Sequence, residues 1–419
     1  MADVQPLRAL HYDLARVGPL DQVVAPPYDV IDPVQRGRLA GRSPYNVVHV
    51  DLPEATGDPY VAAARLFDGW RQEGAVMRED QPALWALTQS YDAPGGGGRR
   101  ERHGFLARVR VEEYGPGRVR PHERTHPGPR EDRLRLTRAT RTNISPIFAL
   151  HSDPGRSAWS ALEPATRDGP WGEATDADGT EHRLWCVQDA EAIEAVQAAL
   201  RDAELLIADG HHRYETARVY AEEVGGEGPH RYVLACLVAL EDPGLTVFPT
   251  HRLVRGLRPE QHESLAVAIR EAFHVEETTR EAIVPQGDGP LRIGYVDAHF
   301  KRPFMLTLKD PAVADAALPG RPEPYRRLDT AVLEALLLKG PLEMSDDDIS
   351  HLRGLGYARD DREALDKVER GEYDAAFFMR ATPVEEVREV AAAGESMPPK
   401  STYFFPKLLT GMLFNPLTE

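Results

Sequence analysis

"ADGHHRYETA", residues Ala208 to Ala217, follows the apolar run Leu205, Leu206 and Ile207 and breaks it at Asp209-Gly210. Beyond the break, Tyr214, Ala217, Ala221 and Val224 keep helical spacing, so the stretch predicts a strand, a sharp turn and a helix start. That order puts the first-turn backbone N–H groups at the positive end of a helix dipole, an anion site before any side chain is counted. Gly210 allows a ligand to approach the backbone closely. Arg213 adds a two-pronged grip, His211 and His212 donate hydrogen bonds or shuttle a proton, and Asp209 can hold a metal ion or a hydroxyl. Each also has a plainer role: Asp209 as turn residue and N-cap, His212 and Glu215 as a surface pair, Tyr214 as core. Four chemically active residues stacked at one helix mouth favour a site.

The chain of 419 residues exceeds the size at which single cores stop growing, which predicts two or three packed units. A formal net charge of -17 argues against coating nucleic acid or an anionic membrane, because both would repel it, so any anion site is local. Cys186 and Cys236 sit in strand-like apolar runs without neighbours at metal spacing and read as buried thiols in a reducing cytoplasm. The start "MADVQPLRAL" lacks the basic and apolar blocks of a signal peptide, and no run approaches the roughly 20 apolar residues of a membrane span. A cytoplasmic protein without nucleic-acid or membrane partners is expected.

Along the chain, "DQVVAPPYDVID" predicts a strand entering a Pro-Pro bend, with Asp32-Pro33 as a helix N-cap and first position. "NVVHVDL" reads as a strand. Ala63, Leu66, Phe67 and Trp70 form a helical stripe ending at Gly74. "PALWALTQSYD" and "HGFLARVRVEEY" predict paired strands joined through a glycine run that continues as a strand, so it reads as a hairpin connection rather than a phosphate loop. Residues 152–183 read as a surface excursion. "RYVLACLVALED", Pro243-Gly244 and "LTVFPTHRLV" predict a hairpin. The fold class expected is α+β, in three regions: 1–115, 116–256 with an insertion at 152–183, and 257–419.

Arginines crowd the stretch from Arg118 to Arg141, Arg124 and Arg133 among them, as a solvated helical face or an anion-binding wall. Within it, "RPHERTHPGPREDR" holds His122, Glu123 and His126; Glu123 beside basic residues suits a base, or else makes ordinary ion pairs. "APPYDVI" fixes Tyr28 and Asp29 in a rigid bend. "PPKSTYFFPK" offers Lys400 to a phosphate, and "PTHR" offers His251 and Arg252 to the same cleft, or each ties down a strand.

"VAPPYDVI", "PHERTHPGPREDR", "NISPIF", "ADGHHRYETA", "EDPGLTVFPTHR" and "MPPKSTYFFPKL" together resemble a prokaryotic family catalogued as domain of unknown function 1015, from about Val24 to Leu408. "ADGHHR" separately resembles the phosphate-binding turn of the ParB and sulfiredoxin superfamily, which implies a core of that kind around the strand, turn and helix at 204–224. Sulfiredoxins place a catalytic cysteine in this turn, where His211 and His212 stand here. Partition proteins follow it with a DNA-reading module, which the charge opposes. The branch of free-serine kinases remains, in which a His-Glu pair precedes the turn as in "PHERT" and the glutamate serves the serine hydroxyl. The resemblance implies phosphoryl transfer on serine or phosphoserine, in either direction, with Gly210 and Arg213 on phosphate, Asp209 on Mg²⁺ or the hydroxyl, and Glu123 as base. A nucleotide, ADP or ATP, is the implied cofactor. A metal-dependent hydrolase using Asp209, His211, His212 and Glu123, or a nucleotide-sensing module without turnover, are the alternatives. If Glu123 is the base, Glu123→Gln lowers steady-state phosphate transfer or release with phosphoserine by roughly 100-fold or more while calorimetric binding changes little; full activity would end the assignment.

Overall fold

The computed structural model describes residues 2–93, 98–116, 118–123, 125, 127–287 and 289–419. The architecture is α+β, and the chain forms two compact units. The first combines Met1–Pro121, Thr125–Leu245 and Pro406–Glu419; the second combines His122–Arg124 with Thr246–Phe405. The expected first and second regions share one sheet, and the chain re-enters the first unit after residue 405.

The first unit is built on nine strands: β1 (Val4–Gln5), β2 (Leu84–Asp92), β3 (Arg99–Arg110), β4 (Val119–Arg120), β5 (Ile147–His151), β6 (Gly172–Thr175), β7 (Glu181–Val187), β8 (Leu205–Asp209) and β9 (Tyr232–Ala239). Their order is β4-β8-β5-β9-β3-β2-β7-β6, with β1 on β3. The β4/β8 and β5/β9 pairs are parallel and the others antiparallel. Period-two alternation sends Phe105, Ala107 and Val109 of β3, Leu205 and Ile207 of β8, and Val233, Ala235 and Leu237 of β9 into one core. Each Leu, Val or Phe so buried contributes about 1.5–3 kcal/mol. Gly104 lets β3 and β9 close up, since a Cβ there would stand 2.8 Å from the Leu237 carbonyl oxygen.

Helices α1 (Pro33–Ala40), α2 (Val48–Asp51), α3 (Pro59–Gln72), α4 (Pro127–Thr140), α5 (Ala190–Leu200) and α6 (His211–Val224) belong to the same unit. The Asp32 side chain accepts from Gln35 N–H at 2.7 Å with Pro33 following, the cap read from sequence. In α3, Ala63, Phe67 and Trp70 are buried, whereas Leu66 is exposed. "NVVHVDL" is not a strand: the buried Asn46 side chain accepts from Val48 N–H and donates to Gln22 and Val24 carbonyls, which turns the chain into α2. The expected strand at "DQVV" is likewise a helical turn, Leu20–Val23, entered from Pro19.

Residues 152–183 are not a surface excursion. Asp176 takes the N–H groups of Asp178 and Thr180, closing a hairpin that carries β6 and β7 into the sheet. The Pro243-Gly244 turn does not join paired strands either. β9 pairs with β3 and β5, while His251–Val254 enters the second unit's sheet. Cys236 is buried and Cys186 half-buried, and burial pushes both thiols up to about 12. Residues 94–97 of the glycine-rich connection lie outside the described residues. Among the described residues no helix is long and apolar enough to cross a membrane.

The second unit holds β10 (His251–Val254), β11 (Phe273–Glu277), β12 (Arg292–Asp297), β13 (Phe304–Leu308), β14 (Leu355–Ala358) and β15 (Ala375–Phe378), in the antiparallel order β11-β13-β12-β15-β10-β14. Along β15, Ala375 and Phe377 enter one core and Ala376 and Phe378 another, so both faces are covered.

His151, at the end of β5, is 2% exposed, and neither ring nitrogen has a hydrogen-bond partner among the described residues. Burial outweighs Asp153 and Glu241 and pulls its pKa from 6.5 to about 4. The unfolded chain therefore binds the proton first, and the neutral ring's contribution is intact above pH 6.5 and lost as pH falls toward 4. His151→Leu is expected to flatten this acid limb by up to roughly 1.4 kcal/mol per pH unit in denaturant titrations between those values. An unchanged slope would refute it.

Candidate functional site

Strand β8 delivers Asp209 to a break in register against β5, where Asp209 stands opposite Phe148. Gly210 follows with φ 92°, a left-handed conformation that side-chain-bearing residues avoid. Helix α6 begins at His211, and its hydrogen-bond ladder begins at Tyr214, whose N–H donates to Gly210 O at 3.0 Å. The N–H groups ahead of the ladder form the helix's positive pole. Tyr214 and Ala217 are buried in the core and fix the helix against the sheet.

Asp209 is half-buried between cations. Lys407 Nζ lies 3.4 Å from Oδ1 and Arg213 Nη2 3.3 Å from Oδ2. Burial alone would raise its pKa, but Lys407, Arg213 and His211 outweigh that and hold the carboxyl well below the usual range. Asp209 is thus an anion throughout the physiological range. Arg213 also donates through Nη1 to Ser145 Oγ at 2.7 Å and to Pro146 O, so that one nitrogen fastens the turn to the segment before β5. Lys407 is held in place by its neighbours. Arg102, 1% exposed, donates to Pro406 O at 2.6 Å, and Gln89 Nε2 donates to Lys407 O at 3.1 Å. Arg102 lies 4.5 Å over the Phe148 ring, and burial lowers its pKa to about 10, short of discharging it.

Behind the turn, Arg133 of α4 is 5% exposed and bridges Asp51 (Nη1 to Oδ1, 2.8 Å) and Asp132 (Nε to Oδ2, 2.7 Å). Its guanidinium covers the Tyr28 ring at 4.3 Å. Burial and Asp29 push the Tyr28 phenol up to about 12. Asp29 itself is exposed. The basic segment resolves into cross-element pairs: Arg120 with Glu204, Arg135 with Asp58, Arg138 with Glu223. Arg218 pairs with Glu215 at 3.1 Å.

His122 and Glu123 belong to the second unit. His122 is fully buried, with Nε2 hydrogen-bonded to Thr402 Oγ1 at 2.9 Å and its carbonyl accepting from Met397 N–H at 2.7 Å. Half-buried Glu123 is thereby held on a clamped backbone. Arg252, also fully buried, donates to Thr250 O, Pro399 O and Lys400 O, which commits it to the 397–402 loop. His251 accepts from Met379 N–H at 3.2 Å through Nδ1, and burial pulls its pKa to about 4. Lys400 is exposed with φ 56°. Arg124 and His126 lie outside the described residues.

The first unit thus gathers Asp209, Gly210, His211, His212 and Arg213 at one turn. The second gathers His122, Glu123, His251, Arg252 and Lys400. The residues that sequence reading missed are Lys407, Asp51 and Ser145. Lys407 stands in the quoted "PPKSTYFFPKL" stretch, seven positions beyond the lysine singled out there. Among the described residues no group of three or more His, Cys, Asp or Glu is placed to hold a metal ion.

Residues 4–331 match a family model described as "Protein of unknown function (DUF1015)". No curated protein matches the chain. Solved structures similar to it include a conserved hypothetical protein from Pyrococcus furiosus, 16% identical over 68% of this chain and 86% of that one, TM-score 0.33. A free serine kinase in complex with AMP is 17% identical over 70% and 88%, TM-score 0.35. SbnI with a C-terminal truncation, from Staphylococcus aureus, is 13% identical over 73% and 85%, TM-score 0.37. Likeness at this level carries no functional inference.

A Cβ on Gly210 would meet Arg213 Nε at 3.0 Å and Cζ at 3.1 Å, in a backbone conformation already costly for it. Gly210→Ala is therefore expected to lower the unfolding free energy by about 1–2 kcal/mol, read as the denaturation midpoint. Wild-type stability would mean that the turn relaxes without cost.

Proposed function

We propose that this chain, which belongs to the family described as protein of unknown function DUF1015, is a phosphoryl-transfer enzyme acting on a small hydroxylated metabolite of the serine and phosphoserine kind. The observation that carries the reading is the turn from Asp209 to Arg213: a left-handed glycine, a helix N-terminus and a permanently anionic carboxylate set between Lys407 and Arg213. Backbone N–H groups of the first helical turn hold the phosphate, and Lys407 and Arg213 supply the positive field that a transferring phosphoryl group requires. His211, buried beside Asp209, and His212, half-buried, donate hydrogen bonds to its oxygens.

In the transfer, the substrate hydroxyl oxygen forms the new bond to phosphorus, the bond from phosphorus to the leaving oxygen breaks, and the hydroxyl proton passes to a base. The motif resemblance gives ADP or ATP as the phosphoryl donor; in release from phosphoserine, a water oxygen forms the new bond to phosphorus, the bond to the serine oxygen breaks, and the serine oxygen takes a proton. Asp209 would hold Mg²⁺ together with phosphate oxygens, which suits an ion that keeps few protein ligands. When bound, the ion neutralises charge on the transferring group.

Calorimetry with phosphoserine and with inorganic phosphate tests the site. Lys407→Met removes one charge-assisted contact and is expected to weaken binding by about 1.5–3 kcal/mol and to lower the melting temperature, because Asp209 loses one of its two cations. Undiminished affinity for both ligands would sink the reading. Binding without transfer or phosphate release under any nucleotide would leave a sensing module instead.

A further inference from the structure

Three side chains of the first unit stand opposite one another on successive strands: His182 of β7 opposite Gln89 of β2, and Gln89 opposite Arg102 of β3. All three are fully buried. They form one hydrogen-bonded line that starts at Asp176, in the turn between β6 and β7, whose Oδ2 lies 3.0 Å from His182 Nε2. His182 Nδ1 lies 3.1 Å from Gln89 Nε2, and Gln89 Oε1 accepts from Arg102 Nε at 3.0 Å and from Arg102 Nη2. The line ends on backbone. Gln89 Nε2 donates to Lys407 O and Arg102 Nη2 to Pro406 O, and Lys407 is the residue whose ammonium faces Asp209.

Donor and acceptor chemistry allows this line one arrangement of protons. Arg102 can only donate, so the oxygen of the Gln89 amide must face it. The amide nitrogen then gives one hydrogen to Lys407 O and the other to His182, which can receive it only through a bare Nδ1. The ring proton therefore sits on Nε2 and goes to Asp176. A second proton, on Nδ1, would point at the Gln89 N–H, and the amide could meet it only by turning its oxygen away from Arg102 and its nitrogen away from Lys407 O. The charged groups that face the ring are Asp176, which favours that second proton, and Arg102, which opposes it. Burial is the largest influence and lowers the pKa below its ordinary 6.5, so the ring is neutral at and above neutral pH.

We infer that Gln89 and His182 are positioning residues of the Asp209 turn: they fix the Lys407 backbone so that its ammonium meets Asp209, and they do so only while His182 is neutral. They act through Lys407 and not on the ligand. What this does for phosphate rests on the phosphoryl-transfer reading, whereas the tether on Lys407 does not. Acidification thus loosens one of the two cations of the turn while Asp209 itself stays ionised. The trigger is a histidine five strands along the sheet from Asp209.

The test combines hydrogen exchange at residues 406–410 with calorimetric binding of inorganic phosphate, both on the full chain. Gln89→Leu and His182→Leu should each speed exchange in that segment and weaken phosphate by roughly tenfold, the scale of one charge-assisted hydrogen bond. His182→Asn, whose Oδ1 stands near the place of Nδ1 and accepts without titrating, should restore both. As pH falls below 6.5, wild-type affinity should decline relative to that of His182→Asn, a ratio from which the ionisation of phosphate, His211 and His212 cancels. Unchanged exchange in a folded Gln89→Leu protein, or a ratio that stays flat down to about pH 5, overturns the inference. Phosphate weakened by Lys407→Met but not by Gln89→Leu overturns it as well. If the leucine variants fail to fold, nitrogen-15 shifts of the His182 ring in the unaltered protein decide: a proton on Nε2 with Nδ1 bare supports the inference, and the reverse overturns it. Wild-type protein that binds no phosphate sinks the phosphoryl-transfer reading, and the exchange measurement then decides this one alone.

Discussion

A carboxylate at the end of a buried strand has to be neutralised, and Asp209 obtains its neutralisation from one near and one distant part of the chain. Arg213 comes from the next turn of helix and Lys407 from a segment that returns after the whole second unit. Removing water from one charge costs several kcal/mol unless partners are close and well oriented. The surroundings of the turn are consequences of that requirement. Gly210 takes a positive φ so that the Arg213 guanidinium can lie against it, Ser145 and Pro146 receive its other nitrogen, and Arg102 pins the carbonyl beside Lys407.

The same economy explains why an acidic chain concentrates arginine between residues 118 and 141. Arg120, Arg133, Arg135 and Arg138 fasten one element to another. Arg120, Arg135 and Arg138 make exposed or half-exposed pairs that contribute little individually. Arg133 differs because both it and Asp51 are buried, and losing either partner would strand a charge. In the second unit Arg252 plays the comparable part with carbonyl oxygens rather than carboxylates.

Elements whose signal is local were legible in the sequence. The strand, turn and helix around Asp209, the Asp32-Pro33 cap, the α3 stripe and the paired strands β2 and β3 all follow from spacing and capping chemistry within a few residues. What failed depends on partners far away. "NVVHVDL" is β-branched and reads as strand, but buried Asn46 bonds a neighbouring segment and turns it into helix. The turn at Pro243-Gly244 is real, yet the strands beside it find other partners in separate units, which no local pattern encodes. The cluster around Asp209 is legible because its residues follow one another at a single turn, whereas Lys407 and Asp51 look like ordinary charges until the chain folds back.

That return of the chain sets an order of events during synthesis. Residues 246–405 leave the ribosome before Pro406–Glu419, so the second unit's chain is complete while the first still lacks Lys407 and the buried Leu413 and Phe414. Domains generally fold as units as they emerge, at about 5–20 residues per second. The first unit must therefore wait roughly ten seconds or more after its main sheet is made, with Asp209 short of one cation, and the nascent chain in that interval is the form most in need of a chaperone.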